Sequence, residues 1–521
     1  MRLRPIIQSL VLALAASWPA AAAPPTEAEM AAKIDARLAE VWAREKVEAA
    51  PPAEDAEFLR RAWLDLCGTI PPLNDPDGIS GIRQFLDSND PDKRVRLIER
   101  LLARPSHATH FANVWKNVLL PQDAEVQRLG GEAGFQSWLR GQFADNVPYD
   151  MLIASLVLAQ GQANQAGPAL FFTSLQLKPE ELAASTSRVF LGTQIQCAQC
   201  HDHPFDHWKK ADFWGYAAFF ARLERPQQAQ QIAFQVSDAA TGEVMIPGSS
   251  DAVTPRFLGG DTSGDDLGKS RRERLVQWLT WPENPFVARA AVNRVWALLF
   301  GRGLVHPVDD LGRHNASAHP ELMSELAEYF VRSGYDLNRL VRTLTQTKAY
   351  QLSSRSPPGA EDRPELFARM SIKSLTAEQL YDCLLEAMRR RESASPAPQS
   401  ALVLNRGLDA TRQAFLMRFR APTQGATEYE GGIPQALTLM NGTNIRQATD
   451  LNQSDLLGAL DAPFFTAAQK VEVLFLSTLS RPPRSEERAK FVAYVEQAGN
   501  RQALGDVLWA LLNSAEFMLN H

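Results

Sequence analysis

Beyond its first residues the chain has no long hydrophobic run. Its longest internal apolar stretches, such as Val295 to Phe300, sit inside amphipathic patterns and fall far short of the roughly 20 residues that a membrane span needs. A membrane-spanning body is excluded. Charge imbalance is small as well: 54 basic and 60 acidic residues leave a net charge of -6, and no basic run could track a phosphate backbone. Nucleic acid is therefore not an expected partner. Four cysteines are too few for a disulfide framework in a chain of 521 residues. There is no Gly-x-Ser-x-Gly nucleophile turn, no His-Glu-x-x-His zinc helix and no fixed-period repeat. The segment from Gly264 to Ser270 imitates a phosphate loop, but it is one residue short and puts Asp265 and Asp266 where phosphate would sit.

What is present begins with an export signal. Residues 1–23 combine Arg2 and Arg4, an apolar run from Ile6 to Ala16, and small residues from Ala20 to Ala23. The expected fate is cleavage and release of a soluble protein, periplasmic or extracellular. No cysteine follows the apolar run before Cys67, so lipid anchoring at a new N-terminal cysteine is not expected.

The rest of the chain reads as mainly α: two helical domains joined by an irregular segment with short β pieces. Residues 24–52 form a leader or peripheral helix, stopped at Pro51-Pro52. A first helical domain covers 53–224. In it Phe58, Leu59, Ala62, Trp63 and Leu66 recur at helical intervals before a Gly68 stop, and a helix runs from Pro179 into the cysteine motif described below. Residues 225–270 lose the helical period and make a linker or insert, with a β-leaning piece at Ile232 to Val236. The second helical domain, 271–521, includes a helix started at Asn284-Pro285 with Val292, Val295, Trp296, Leu299 and Phe300 on its apolar face. Cys67 and Cys383 read as buried helix residues, with a bridge between them as the alternative. His107 and His110 read as core or surface side chains, with a pair on one helix face as the alternative, Arg271-Arg272 as a solvated face, and Asn293, Arg294, Asp309 and Asp310 as buried polar networks between helices, with a catalytic role as the alternative.

The motif that carries chemistry is Cys197-Ala-Gln-Cys200-His201. Two thiols on one turn can add to both vinyl groups of a haem, and the next residue presents its imidazole to the iron. This predicts haem c held by Cys197 and Cys200, with His201 as the proximal ligand. The alternatives are a disulfide or redox dithiol, and a divalent metal gathered by Cys197, Cys200, His201 and His203. After the motif comes Asp202-His203-Pro204-Phe205-Asp206-His207-Trp208. His203 is tethered too closely to His201 to reach the opposite face of a haem. Asp202, His203 and Asp206 are therefore predicted to orient His201 or meet a haem propionate. A sixth iron ligand would come from His306, His314, His319 or Met440. A filled sixth position favours electron transfer and an open one favours small-molecule chemistry.

Several segments resemble a known group. They are Phe58-Leu-Arg-Arg-Ala-Trp-Leu-Asp65-Leu-Cys-Gly68, Asp92-Lys-Arg94, Ser187-Arg-Val-Phe-Leu-Gly192 and Gln196-Cys-Ala-Gln-Cys-His-Asp-His-Pro204-Phe in the first half. In the second they are Asn284-Pro-Phe286, Asn293-Arg-Val-Trp296, Phe300-Gly-Arg-Gly303, Pro307-Val-Asp-Asp310, Ser317-Ala-His-Pro-Glu321, Gly334-Tyr-Asp336 and Ala436-Leu-Thr-Leu-Met-Asn441-Gly. Together they resemble the planctomycete-cytochrome-associated exported proteins that pair domain of unknown function 1549 with domain of unknown function 1553. The resemblance places the family's haem motif on Cys197, Cys200 and His201. The separate N-terminal cytochrome-like domain of many relatives is lacking, which implies one haem at most. Three readings follow: a single-haem exported protein for electron transfer or a redox step, working with an exported redox partner; a haem-free binding or scaffold protein; and a metal-dependent enzyme using His201, His203 and Asp206.

Overall fold

The computed structural model describes residues 23–75, 80–121, 131–163, 165, 167–225, 235–260, 268–355, 363–388, 410–419, 442–498 and 502–521. The fold is mainly α, with a few two-residue strands among the described residues. The first described helix, Glu27–Glu45, starts with Thr26 and Glu29 in a capping box and buries Met30, Ile34, Leu38 and Val41 along one face.

The helix Asp55–Cys67 is the axle of the molecule. It ends at Gly68, whose φ of +72° suits a residue without a Cβ, and an added Cβ would lie 2.5 Å from Nδ1 of His110. Its Phe58, Leu59, Ala62, Trp63 and Leu66 enter one hydrophobic core, while Leu64 faces a second. Each fully buried large side chain of this set contributes on the order of 2 kcal/mol. The helix also buries three charged residues, and all three reach far along the chain. Arg60 donates to the carbonyls of Thr478 and Phe517, both at 2.9 Å. Arg61 donates to those of Tyr350 (2.7 Å) and Leu352 (2.8 Å) and pairs with Glu57. Asp65 accepts from Lys373 Nζ at 2.5 Å, Tyr350 OH at 2.9 Å and Asn520 Nδ2 at 2.6 Å.

The larger core runs through Val236, Val244 and Leu258 without a break, joining helices such as Pro105–Leu119 and Tyr149–Val157 to Arg271–Leu279, Val287–Phe300 and Pro320–Arg332. The smaller core is made by Ala377–Met388, Ala410–Phe419, Ala467–Leu479 and Gln502–Leu512. In the 225–270 segment, Gln235–Val236 pairs antiparallel with Gly161–Gln162, in register Gly161 opposite Val236. The beginning of the β-leaning piece at Ile232 lies outside the described residues. A second small sheet pairs Lys373–Ser374 with Leu519–Asn520.

Two readings of the sequence are corrected. Arg271 and Arg272 are not a solvated face: they are 5% and 2% exposed. Arg271 forks onto the Glu243 carboxylate at 2.9 and 2.8 Å, and Arg272 onto that of Asp238 at 2.9 and 2.7 Å. Arg272 also donates to the carbonyls of Val157 and Ala159. Burial is tolerated because each guanidinium meets a carboxylate and buried carbonyls. The second correction concerns the helix from Pro179. It ends at Phe190, and Gly192 turns the chain with φ +60°, so the cysteine motif sits on a separate short 3-10 turn.

Cys67 and Cys383 are free thiols in different cores, and burial pushes each up to about 12. His107 and His110 are core side chains. His107 bonds Leu66 O at 2.8 Å and Asn338 Oδ1 at 3.0 Å, and burial drives His110 down to about 3. Among the described residues no helix is long and apolar enough to cross a membrane.

Candidate functional site

The motif turn, Gln196–Gln199, is fixed from below and open above. Ile195 and Ala198 are buried, and the indole N–H of Trp214 donates to Gln199 O at 3.0 Å. Cys197, Cys200 and His201 are left exposed. His201 Nδ1 lies 2.8 Å from Asp202 O. A carbonyl can only accept, so Nδ1 carries the proton and Nε2 presents a lone pair outward.

The residues after the motif form a closed loop with a different job. His203 N–H donates to Trp208 O at 2.8 Å. His203 Nδ1 accepts from the backbone N–H of Asp206 at 3.0 Å and of Phe205 at 3.3 Å, so this imidazole holds its proton on Nε2. His201 and His203 are thus opposite tautomers. Asp202 steadies His201 through its carbonyl, while its carboxylate accepts from Lys210 N at 2.9 Å at the start of the helix Lys210–Ala217. The Asp206 side chain, 3% exposed, accepts from His207 N at 2.7 Å and His207 Nδ1 at 2.6 Å. Burial raises its pKa, but these bonds and the N–H of Arg313 outweigh burial and hold the carboxyl below its usual range.

A loop from the second half of the chain supports this one. Leu311 N donates to Gly192 O at 2.7 Å, and a Cβ on Gly192 would meet the Leu311 side chain at 2.7 Å. His314 Nδ1 faces Asp206 Oδ2 at 3.8 Å, its Nε2 bonds Asp310 Oδ2 at 3.0 Å, and its ring lies over that of His203, centroids 6.2 Å apart at 26°. Gly312 is required here, since a Cβ would stand 2.5 Å from Asp206 Oδ2 and 2.6 Å from the His314 ring. Asn293, fully buried, holds the supporting loop by donating to the carbonyls of Val305 and Val308 and accepting from Val305 N, all at 2.9 Å. Asp309 takes Arg188 at 3.3 Å and Gln194 at 3.0 Å. The buried-network reading holds for Asn293, whereas Arg294, Asp309 and Asp310 are half-buried, and the bonds of Asp309 to Gln194 and of Asp310 to His314 lie at the surface.

The four residues considered for a sixth ligand separate clearly. His314 is beside the motif loop but is engaged by Asp310. His319 is buried, with Nε2 at 3.0 Å from Glu365 O. His306 gives its carbonyl to Asn315 Nδ2 at 3.0 Å and precedes a cis peptide bond to Pro307. Met440 lies outside the described residues. Among the described residues no group of three or more His, Cys, Asp and Glu side chains is arranged to hold a metal ion. Sequence reasoning missed the pairing of His314 with Asp206, because the partners are a hundred residues apart and only the Gly312 between Asp310 and His314 hinted at a close approach.

Two family comparisons match the chain. Residues 33–225 match a protein of unknown function (DUF1549) and residues 271–495 match a second protein of unknown function (DUF1553). The chain belongs to the proteins that pair these two domains. No curated protein and no solved structure matches it. In this DUF1549–DUF1553 pairing, the cysteine motif falls in the first domain, and the loop that packs on its flanks at Gly192, His203 and Asp206, with Asp310, Gly312 and His314, falls in the second.

Proposed function

We propose that this is an exported electron-transfer or redox protein that holds one c-type haem. Cys197 and Cys200 would supply the thioether links and His201 Nε2 the proximal ligand. The donor set fits: two exposed thiols and one exposed imidazole lie within five residues on and just after the turn Gln196–Gln199, whose Gln199 carbonyl is held by Trp214. The observation that carries the reading is the His201 Nδ1 bond to Asp202 O, which fixes the tautomer a proximal histidine needs. Bound haem supplies one-electron chemistry. The chain supplies orientation of His201, the Asp206–His314 contact on the loop that follows it, and an exposed aromatic face at Phe205, 75% accessible, on which an exported redox partner can dock.

Export rests on residues 1–23, and the periplasm or the extracellular space is where haem attachment would occur. The metal-enzyme reading at His201, His203 and Asp206 is less well supported: His203 Nδ1 serves two backbone N–H groups, and one Asp206 oxygen is committed to His207. Production with haem-maturation machinery and an absorption spectrum test the proposal. A Soret band that survives acid-acetone extraction is expected. Its absence in correctly exported protein would favour the haem-free scaffold reading.

A further inference from the structure

The helix Glu27–Glu45 stands first in the chain, yet its long-range polar contacts reach the second matched domain. Asp35 accepts from the backbone N–H groups of Lys348 at 3.0 Å and Ala349 at 3.3 Å. Arg37 Nη2 donates to Glu325 at 2.7 Å and Trp42 Nε1 to Leu366 O at 2.7 Å. The tie continues ahead of the helix. Ala23 O accepts from Arg332 Nη2 at 3.1 Å, and Pro25 O accepts from Arg339 Nη2 at 2.9 Å. Arg339 is itself braced by Tyr329 OH at 3.1 Å and Glu27 at 3.4 Å. The two arginines belong to consecutive helices, Pro320–Arg332 and Leu337–Gln346. Chain ends are loose unless something ties them down, so two guanidiniums on the carbonyls of residues 23 and 25 give an end a seat.

The small residues Ala20 to Ala23 offer two bonds with a small side chain one and three positions before a cut. Ala22–Ala23 has Ala22 and Ala20 there, and Ala23–Pro24 has Ala23 and Ala21. Chemistry separates them. Ala23–Pro24 is a tertiary amide whose proline has a fixed φ and no N–H, so it cannot donate the backbone bond that holds an extended substrate beyond the cut. Ala22–Ala23 is an ordinary peptide bond. The seat separates them in the same sense. A cut after Ala22 leaves both bonded carbonyls on the mature chain, whereas a cut after Ala23 removes the one that Arg332 takes. Pro24 and Pro25 also stiffen the link between Ala23 and the Thr26–Glu29 capping box, so little freedom is lost on seating.

We propose that the export peptidase hydrolyses the Ala22–Ala23 bond and that the new end, Ala23-Pro24-Pro25, stays seated on the second domain through Arg332 and Arg339. Water adds across the amide: Ala22 leaves as a carboxylate with the signal, and Ala23 gains a free α-amine. The site rests on the export reading of residues 1–23.

N-terminal sequencing of the chain exported by intact cells tests the site. Ala-Pro-Pro-Thr-Glu, residues 23–27, is expected. A mature chain beginning at Pro24, or at any other residue, would overturn the site alone. A chain still beginning at Met1 would overturn the export reading with it, so the two failures are told apart. Ala20→Leu should block or displace the cut and Ala21→Leu should leave it in place, and the reverse pattern would contradict the proposal. For the seat, the probe is an aminopeptidase specific for bonds before proline, applied to the folded mature chain. It should release Ala23 several-fold faster from Arg332→Ala than from the unaltered chain, with matching melting temperatures. Equal rates of release would overturn the seating.

Discussion

At the scale of single residues, exposed and buried histidines answer differently to substitution. His201 is exposed and touches the fold only through Asp202 O. In the haem-free chain His201→Ala should therefore change stability by less than about 0.5 kcal/mol, as at an ordinary surface position, and in the proposed haem-bearing protein it should alter the iron's spectrum. A denaturation midpoint beside an absorption scan checks both halves. His110 is the opposite case. Burial lowers its pKa from 6.5 to about 3, so below pH 6.5 the unfolded chain takes a proton that the folded chain refuses. Stability falls as pH drops through this window, by up to about 1.4 kcal/mol per unit for one such group. His107 and His319 are shifted in the same direction by burial and add to the slope. Urea unfolding from pH 6.5 to 5 should show a shallower slope in His110→Gln, and an unchanged slope would contradict the assignment.

At the scale of elements, the helix Asp55–Cys67 shows what a sequence tells and what it withholds. Its apolar spacing and Gly68 stop were legible, because helical period and a left-handed cap are local properties. That Arg60, Arg61 and Asp65 point inward was not legible, since their partners lie hundreds of positions away. The same reason hid the burial of Arg271 and Arg272, whose charge suggested solvent until Asp238 and Glu243 were in place. The motif turn divides the same way: Cys197, Cys200 and His201 were readable from spacing, but the packing of Leu311 from the second half of the chain onto Gly192, just past the helix end at Phe190, was not. Because Asp65 is buried against Lys373, Lys373→Met leaves a carboxylate short of its cation and should cost about 3–5 kcal/mol. The double variant Asp65→Asn with Lys373→Met should recover much of that loss. Additive losses in a double-mutant cycle would rule the coupling out.

At the scale of the whole molecule, two matched domains share one body. The larger core passes through Val236, Val244 and Leu258 between them, and the first domain's axle helix is held by carbonyls at Tyr350, Leu352, Thr478 and Phe517. A fragment of residues 24–224 should thus lack a cooperative unfolding transition, and calorimetry showing a sharp one would contradict this. The shared body also explains how the motif's surroundings are held: the first domain carries Cys197, Cys200 and His201, and the second brings the loop of Asp310, Gly312 and His314 onto Gly192, His203 and Asp206. The measurement that tests the central claim most directly is the intact mass, under denaturing conditions, of the chain exported by cells competent in haem maturation. The account predicts a polypeptide shortened at its signal and heavier by one covalent haem, with the increment lost in a Cys197→Ser, Cys200→Ser variant. A mature mass equal to the polypeptide alone would contradict it.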